Sequence, residues 1–237
     1  MKKGKKIIIG IIVALLVVVL VGYIYLFTGS KIKNVSNDVI KGEEGTKSLV
    51  VYFTRQGEIP GNVDAVSSAT QNSNEGMDGS DTEAAARMIQ SLTGADLYQI
   101  YTEHYYRKSF AGTAATAWIE EQLNLRPKLA AKPDNLDDYD TIYVGYPIWW
   151  FNAPMAIGSF LESYDLSGKT IVPFCTSQDN DISVSMDYIK EVASGANVLD
   201  GYRIHGADVD DVKEWLQRIG VLNDNNTENQ NAEGSLE

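Results

Sequence analysis

The residues with the clearest capacity for chemistry lie in one stretch, Tyr139-Asp-Thr-Ile-Tyr-Val-Gly-Tyr-Pro-Ile-Trp-Trp-Phe-Asn152. Its β-branched and aromatic run predicts a buried strand over Thr141–Gly145. Pro147 is expected to stop that strand, because proline cannot donate to a sheet ladder. Trp149, Trp150, Phe151 and Asn152 follow, with Pro154 just beyond. A strand that runs out into a rigid aromatic loop offers flat apolar walls. The chemistry available there is the holding of a planar ligand beyond the carboxyl end of a sheet. By itself a Trp-Trp pair reads as core packing or an exposed patch; the strand and Pro147 beside it favour ligand contact.

Other reactive side chains carry less. Cys175 is the only cysteine, so no disulfide can form within the chain. It sits in an apolar run with no basic neighbour, which suits a buried strand residue rather than a nucleophile. His104 and His205 are far apart and lack the spacing of metal ligands.

The elements that position the aromatic loop can be read in order. The segment Ile7–Phe27 has no charged residue and is about as long as a bilayer crossing requires. Lys2, Lys3, Lys5 and Lys6 precede it, and Tyr23, Tyr25 and Phe27 lie at its far end, as expected for a span with its basic end in the cytoplasm. The run is longer than a signal-peptide core and lacks an Ala-x-Ala site, although Thr28-Gly29-Ser30 is small enough to leave cleavage open. We read residues 1–30 as a single-pass membrane anchor with the rest outside the cytoplasm. Residues 31–47 are polar and read as a linker, 48–221 as the folded domain, and 222–237 as a disordered tail. The formal net charge of -12 excludes nucleic acid as a partner, since that needs basic patches.

Within the domain, strands are expected at Ser48–Phe53, Ala95–Tyr101, Thr141–Gly145, Lys169–Thr176 and Asn197–Ile204. Helices are expected from Asp81, over Ala111–Leu123, Ala153–Tyr164 and Ile182–Ala193, and over Val209–Ile219. Residues Glu58–Ser80 form a long loop without periodicity, of the kind that is functional or disordered. Strand–helix alternation through five strands predicts an α/β fold, a doubly wound parallel sheet with helices on both faces.

Three stretches together resemble the flavodoxin-like family: SLVVYFTRQG, YDTIYVGYPIWW and LESYDLSGKTIVPFCTS. The resemblance covers about Ser48–Gly220. It implies strand order 2-1-3-4-5, noncovalent FMN as cofactor, and three binding loops after strands one, three and four. The first loop would hold the phosphate with Thr54, Arg55, Gln56 and Gly57 and, across the insertion, Asp81 and Thr82. A helix start suits an anion because its N–H groups are unpaired and its dipole is positive there. The family's usual Ser/Thr-x-Thr-Gly-Asn-Thr turn is split here: Gly57 remains, Glu58 stands for the asparagine, and the threonine comes only at 82. The second loop, Tyr146, Pro147, Ile148, Trp149 and Trp150, would flank the isoalloxazine ring. The third, Thr176, Ser177, Gln178 and Asp179, would complete it, with Asn180 able to take a left-handed turn where relatives have glycine.

The function implied is electron transfer through FMN, with a redox partner protein or a small electron acceptor. No catalytic side chain is required and no metal site is expected. Two rivals remain open: an FMN-dependent NAD(P)H or quinone reductase, and a flavin-less binding domain. The run Asp134, Asp137, Asp138 and Asp140 reads first as a solvated turn and second as a dock for a basic redox partner. Asp64-Ala-Val-Ser-Ser-Ala-Thr70 resembles the sequence at which exported flavin-carrying domains bind FMN through a threonine phosphoester, with Ser68 in place of glycine. The plainer reading of that stretch is a serine-rich loop.

Overall fold

Successive side chains of a strand point to opposite faces of its sheet, and in β1 (Ser48–Phe53) both sets are buried. Leu49, Val51 and Phe53 belong to one hydrophobic core, Val50 and Tyr52 to another. A strand apolar on both faces belongs in a parallel sheet covered twice. The computed structural model describes residues 2–27, 30–33, 35–55, 80–107, 109–204 and 209–222. It shows β1 between β2 (Asp96–Ile100) and β3 (Thr141–Pro147), with β4 (Thr170–Thr176) beyond β3, all parallel. With β5 (Asn197–Val198) beyond β4, the order β2-β1-β3-β4-β5 is the expected one.

Helices cover both faces. Ala85, Ala86 and Ile89 of α2 (Asp81–Thr93) pack with Trp215 and Leu216 of α6 (Val209–Arg218) against Val50, Tyr143 and Phe174. Ile157 and Phe160 of α4 (Met155–Leu161) and Ile189 of α5 (Ser183–Val192) pack against Leu49, Ile142 and Val144. Helix α3 (Phe110–Gln122) lies beside α4. The helix α1 (Lys2–Phe27) contains Lys5–Ile24 with a mean hydropathy of 3.3, which suits either a membrane span or a signal segment.

Two prolines change the expected strand limits. β3 does not stop at Gly145 but runs on through Pro147, which pairs with Thr176. The reason is parity. Ile148 N–H donates to the Thr176 carbonyl at 3.2 Å, so even-numbered residues here donate towards β4. Pro147 faces the β1 side, where pairing has already ended with Tyr52 against Gly145, and its missing N–H costs nothing. Pro173 acts in the opposite way. Leu199 N–H donates to the Ile171 carbonyl at 2.9 Å, and a parallel ladder would next need residue 173 to donate to Leu199. Proline cannot, so the single edge strand expected over Asn197–Ile204 is broken into β5 (Asn197–Val198) and β6 (Tyr202–Ile204), both paired with β4.

The segment 31–47 is bonded to the β2 edge rather than spanning open solvent. Ile40 and Leu97 exchange both backbone hydrogen bonds at 2.8 Å, and Ile32 N–H donates to the Glu103 carbonyl at 3.0 Å. Asp96, 2% exposed, accepts from Lys41 Nζ (2.8 Å), the Gly42 N–H (2.8 Å) and the Tyr139 hydroxyl. Burial pushes the Asp96 carboxyl up, but these donors outweigh it and hold the group below the ordinary carboxylate range.

Two outcomes are expected. Gly145→Ala would drive a methyl into the buried Phe174 ring, costing about 1–3 kcal/mol, read as a lower urea midpoint at unchanged m-value. Asp96→Ala would raise hydrogen exchange at the Ile40 and Gly42 amides roughly tenfold or more, since hydrogen bonds to charged groups contribute about 1.5–3 kcal/mol. A carboxyl held low stabilises above its unfolded value of about 3.9 and ceases to do so as pH falls through its folded value. The same amides in the wild type should therefore lose protection in acid below about pH 4.

Candidate functional site

β1 and β3 are neighbours, yet their chains leave the sheet in opposite directions, β1 through α2 towards β2 and β3 through α4 towards β4. A crevice forms beyond their carboxyl ends, the usual ligand position in such sheets. Here it is a cavity of about 440 Å³, within the usual range for small-molecule sites. Arg55 borders it from β1, Ile148, Trp149, Trp150 and Phe151 from β3, and Asn180 from the loop after β4. Arg55 is the only charged residue among the described residues that line it, and it is 3% exposed; its guanidinium donates to the Arg107 carbonyl at 3.0 Å.

The aromatic wall is fixed from behind. Trp149 meets Phe53 edge-on at 5.5 Å and Tyr106 at 5.1 Å between ring centroids. Trp149 and Asn152 exchange both backbone hydrogen bonds at 2.9 Å, closing a two-residue turn over Trp150 (φ 49°) and Phe151 (φ 64°). Paired positive φ values mark a type I′ turn, which favours Asn-Gly. With bulky side chains it costs about 1–2 kcal/mol per residue. The indole N–H of Trp150, donating to the Ala114 carbonyl at 2.8 Å, helps to hold it. Backbone strain of this kind clusters at ligand sites.

A hydroxyl cluster marks the start of α2. Ser80 caps the helix, accepting from the Glu83 N–H at 3.2 Å, and Thr54 donates to Ser80 at 2.7 Å. Thr82 and Thr176 share a hydrogen bond of 2.6 Å. All four are at most 5% exposed. The ends of β1 and β4 thus converge on the N-terminus of a 13-residue helix, where an anion is favoured.

The residues singled out from the sequence are distributed as follows. Thr54, Thr82 and Thr176 meet in the hydroxyl cluster, and Asp81 opens α2. Arg55, Ile148, Trp149 and Trp150 line the cavity. Pro147 is buried in β3. The Tyr146 side chain points into the core, 0% exposed and 3.1 Å from the Ser185 hydroxyl, so only its backbone is available to a ligand. Ser177 Oγ accepts from the Asn180 N–H at 2.9 Å, and the Gln178 carbonyl accepts from Arg203 at 3.0 Å, which pins the third loop; Asp179 is exposed. Gln56, Gly57, Glu58, the 64–70 motif and His205 lie outside the described residues. The sequence reading expected the α3 helix but not its place at the site, where Phe110, Thr113, Ala114 and Ala117 form a further wall. The signal was its run of small residues, Ala111–Ala117, which leaves one helix face without bulk.

A sequence profile described as flavodoxin matches residues 76–219, more than half of the chain. The chain belongs to the flavodoxin family. This flavodoxin-family chain is similar to a candidate flavoprotein from Bacteroides uniformis, with 30% identity over 73% of its own length and 99% of that chain, at a TM-score of 0.58. A candidate flavoprotein from Bacteroides eggerthii gives 29% identity over 73% and 98%, at a TM-score of 0.59. A Lactobacillus acidophilus flavoprotein, solved in complex with FMN, shares the fold at 21% identity over 72% and 98%, with a TM-score of 0.52. No curated protein matches at a significant level.

A buried carboxyl lies behind the aromatic wall. Glu120 of α3 is 4% exposed and accepts from the Tyr106 hydroxyl at 2.7 Å. Burial pushes its carboxyl up to about 7, against the smaller opposing pull of that hydroxyl. A carboxyl raised on folding costs stability as pH climbs from its unfolded to its folded value. Relative to Glu120→Gln, the wild type should lose up to about 3 kcal/mol between pH 4.5 and pH 7, at about 1.4 kcal/mol per unit, with no further change above pH 8. Urea unfolding of both proteins at pH 5 and pH 8 checks this.

Proposed function

We propose that this chain is an FMN-binding electron-transfer flavoprotein, held at a membrane by α1 with its domain outside the cytoplasm. The observation that carries this reading is the aromatic cavity where the strand order reverses, beside a hydroxyl cluster at a helix start. The donor set suits the ligand. Thr54, Ser80 and Thr82 stand at the α2 N-terminus where a phosphate would be held, with Thr176 alongside. Ile148 and Trp149 would flank a planar ring, and Arg55 would set a positive charge beside it. Bound FMN supplies reversible one- or two-electron chemistry. The chain's own residues bind it, orient it and exclude water from one side. The fold shared with the FMN-complexed Lactobacillus protein supports the cofactor, and the four lysines at the start of α1 support the orientation.

A reductase reading draws on the open rim of the cavity, where Trp150 and Phe151 are 48% and 66% exposed and a small acceptor could enter. Steady-state NADPH oxidation by the purified protein separates the two readings: turnover without a protein partner marks a reductase.

The binding claim is tested by titrating FMN fluorescence with the purified protein. The expected result is saturable quenching with a two-band visible flavin spectrum. Trp149→Ala should weaken binding roughly tenfold or more, about 1.4 kcal/mol. A colourless protein that leaves FMN fluorescence unchanged would overturn the cofactor assignment.

A further inference from the structure

A second cavity of about 290 Å³ lies between the end of α1 and the back of α3. Tyr23 and Phe27 of α1 form one side, and Tyr106, Glu120 and Leu125 the other. Tyr106 lines this cavity and Trp149 lines the first, and their rings meet edge-on at 5.1 Å. The same helix serves both, presenting Thr113 and Ala117 to one and Thr116 and Glu120 to the other. One aromatic contact therefore separates the flavin site from a pocket at the mouth of the apolar helix.

Chain connectivity fixes this proximity. Beyond α1 the Ser30 carbonyl accepts from the Tyr105 N–H at 3.1 Å, and the backbones of Lys31 and His104 pair in antiparallel fashion. The membrane-proximal end of the domain is thus the strand end that carries Tyr106. Glu120 is the buried acid of the pocket. The cations that line it pair with carboxylates other than Glu120, Arg126 with both oxygens of Glu162 at 2.6 and 2.7 Å, and Lys128 with Glu103, also in the lining, at 3.1 Å. A buried carboxyl not neutralised by a cation favours its protonated form, consistent with its rise to about 7.

We propose that this second cavity takes the head group of a membrane-soluble quinone, with Glu120 exchanging a proton with the ring oxygen. The inference rests on the FMN reading and on α1 crossing a bilayer. The volume holds a one- or two-ring head and is too small for a second flavin nucleotide. The aromatic end of α1 gives an apolar tail a path from the lipid. A buried carboxyl and a tyrosine hydroxyl meet at the inner wall. The transfer balances: two electrons and two protons leave reduced flavin, both quinone carbonyl oxygens become hydroxyls, and oxidised flavin remains; the reverse balances equally. Electrons cross the Tyr106–Trp149 contact, Glu120 delivers one proton to a ring oxygen and is reprotonated from solvent, and the other ring oxygen takes its proton from solvent, to which the flavin protons are released.

The test uses the full chain in lipid nanodiscs, a radiolabelled short-tailed benzoquinone, and FMN affinity measured in parallel. Saturable quinone binding at one site is expected. Leu125→Trp, which fills the cavity, should weaken it at least tenfold while FMN affinity stays unchanged. Infrared difference spectra should show a protonated-carboxyl band that shifts when quinone is added and is absent in Glu120→Gln. FMN binding without saturable quinone binding in the wild type overturns this proposal alone, and that measurement decides even if Leu125→Trp fails to fold. Unchanged quinone affinity in a folded Leu125→Trp, or a band that ignores quinone, also overturns it. Failure of both ligands to bind overturns the flavin reading and this one with it.

Discussion

The reversal of strand order between β1 and β3 is the constraint on which the site depends. Because β2 and β3 pair on opposite sides of β1, the connection between them must cross β1. That connection is α3. Its small-residue N-terminal half is carried past the crevice and becomes a wall of it. Arg55 arrives from one departing chain and Trp149 from the other. No residue had to be moved to make the pocket; the topology leaves it open and the loops furnish it.

Inside the pocket, packing and electrostatics act differently. Phe53, Tyr106 and Trp149 lock one another edge-on, so that wall is set before any ligand enters, which lowers the ordering cost of binding. The rim is less relaxed, with two bulky residues in a left-handed turn. The chain as a whole is strongly acidic, which opposes added negative charge. Arg55 is a local exception, a buried cation that borders the cavity.

Much of the fold was legible because period-2 and period-3.6 patterns report burial directly. The same alternation would have shown that Tyr146 shares a face with Ile142 and Val144 and so turns inward. What was not legible depended on neighbours. Pro147 and Pro173 are the same residue type in the same kind of strand, yet one is harmless and the other splits the edge. Only knowing which neighbour each N–H would have faced tells them apart. The 31–47 segment has a polar composition, but backbone groups bond whatever their side chains, and Asp96 supplies a buried acceptor for its lysine from a distant strand. The α3 wall is a long-range contact, and small residues announce room without saying for what.

The strand-like pairing of residues 31–47 with β2 has a consequence for crowding. Molecules anchored in a bilayer diffuse in a plane and keep one orientation, so copies meet side to side far more often than in solution. An uncovered outer strand there would be a template for stacking copy upon copy. Within each molecule Ile40 pairs with Leu97 at that edge, and Lys31, Lys33 and Lys41 stay exposed beside it. For a chain anchored through α1, the stretch that joins the helix to the domain would then also disfavour edge-to-edge stacking of neighbouring copies.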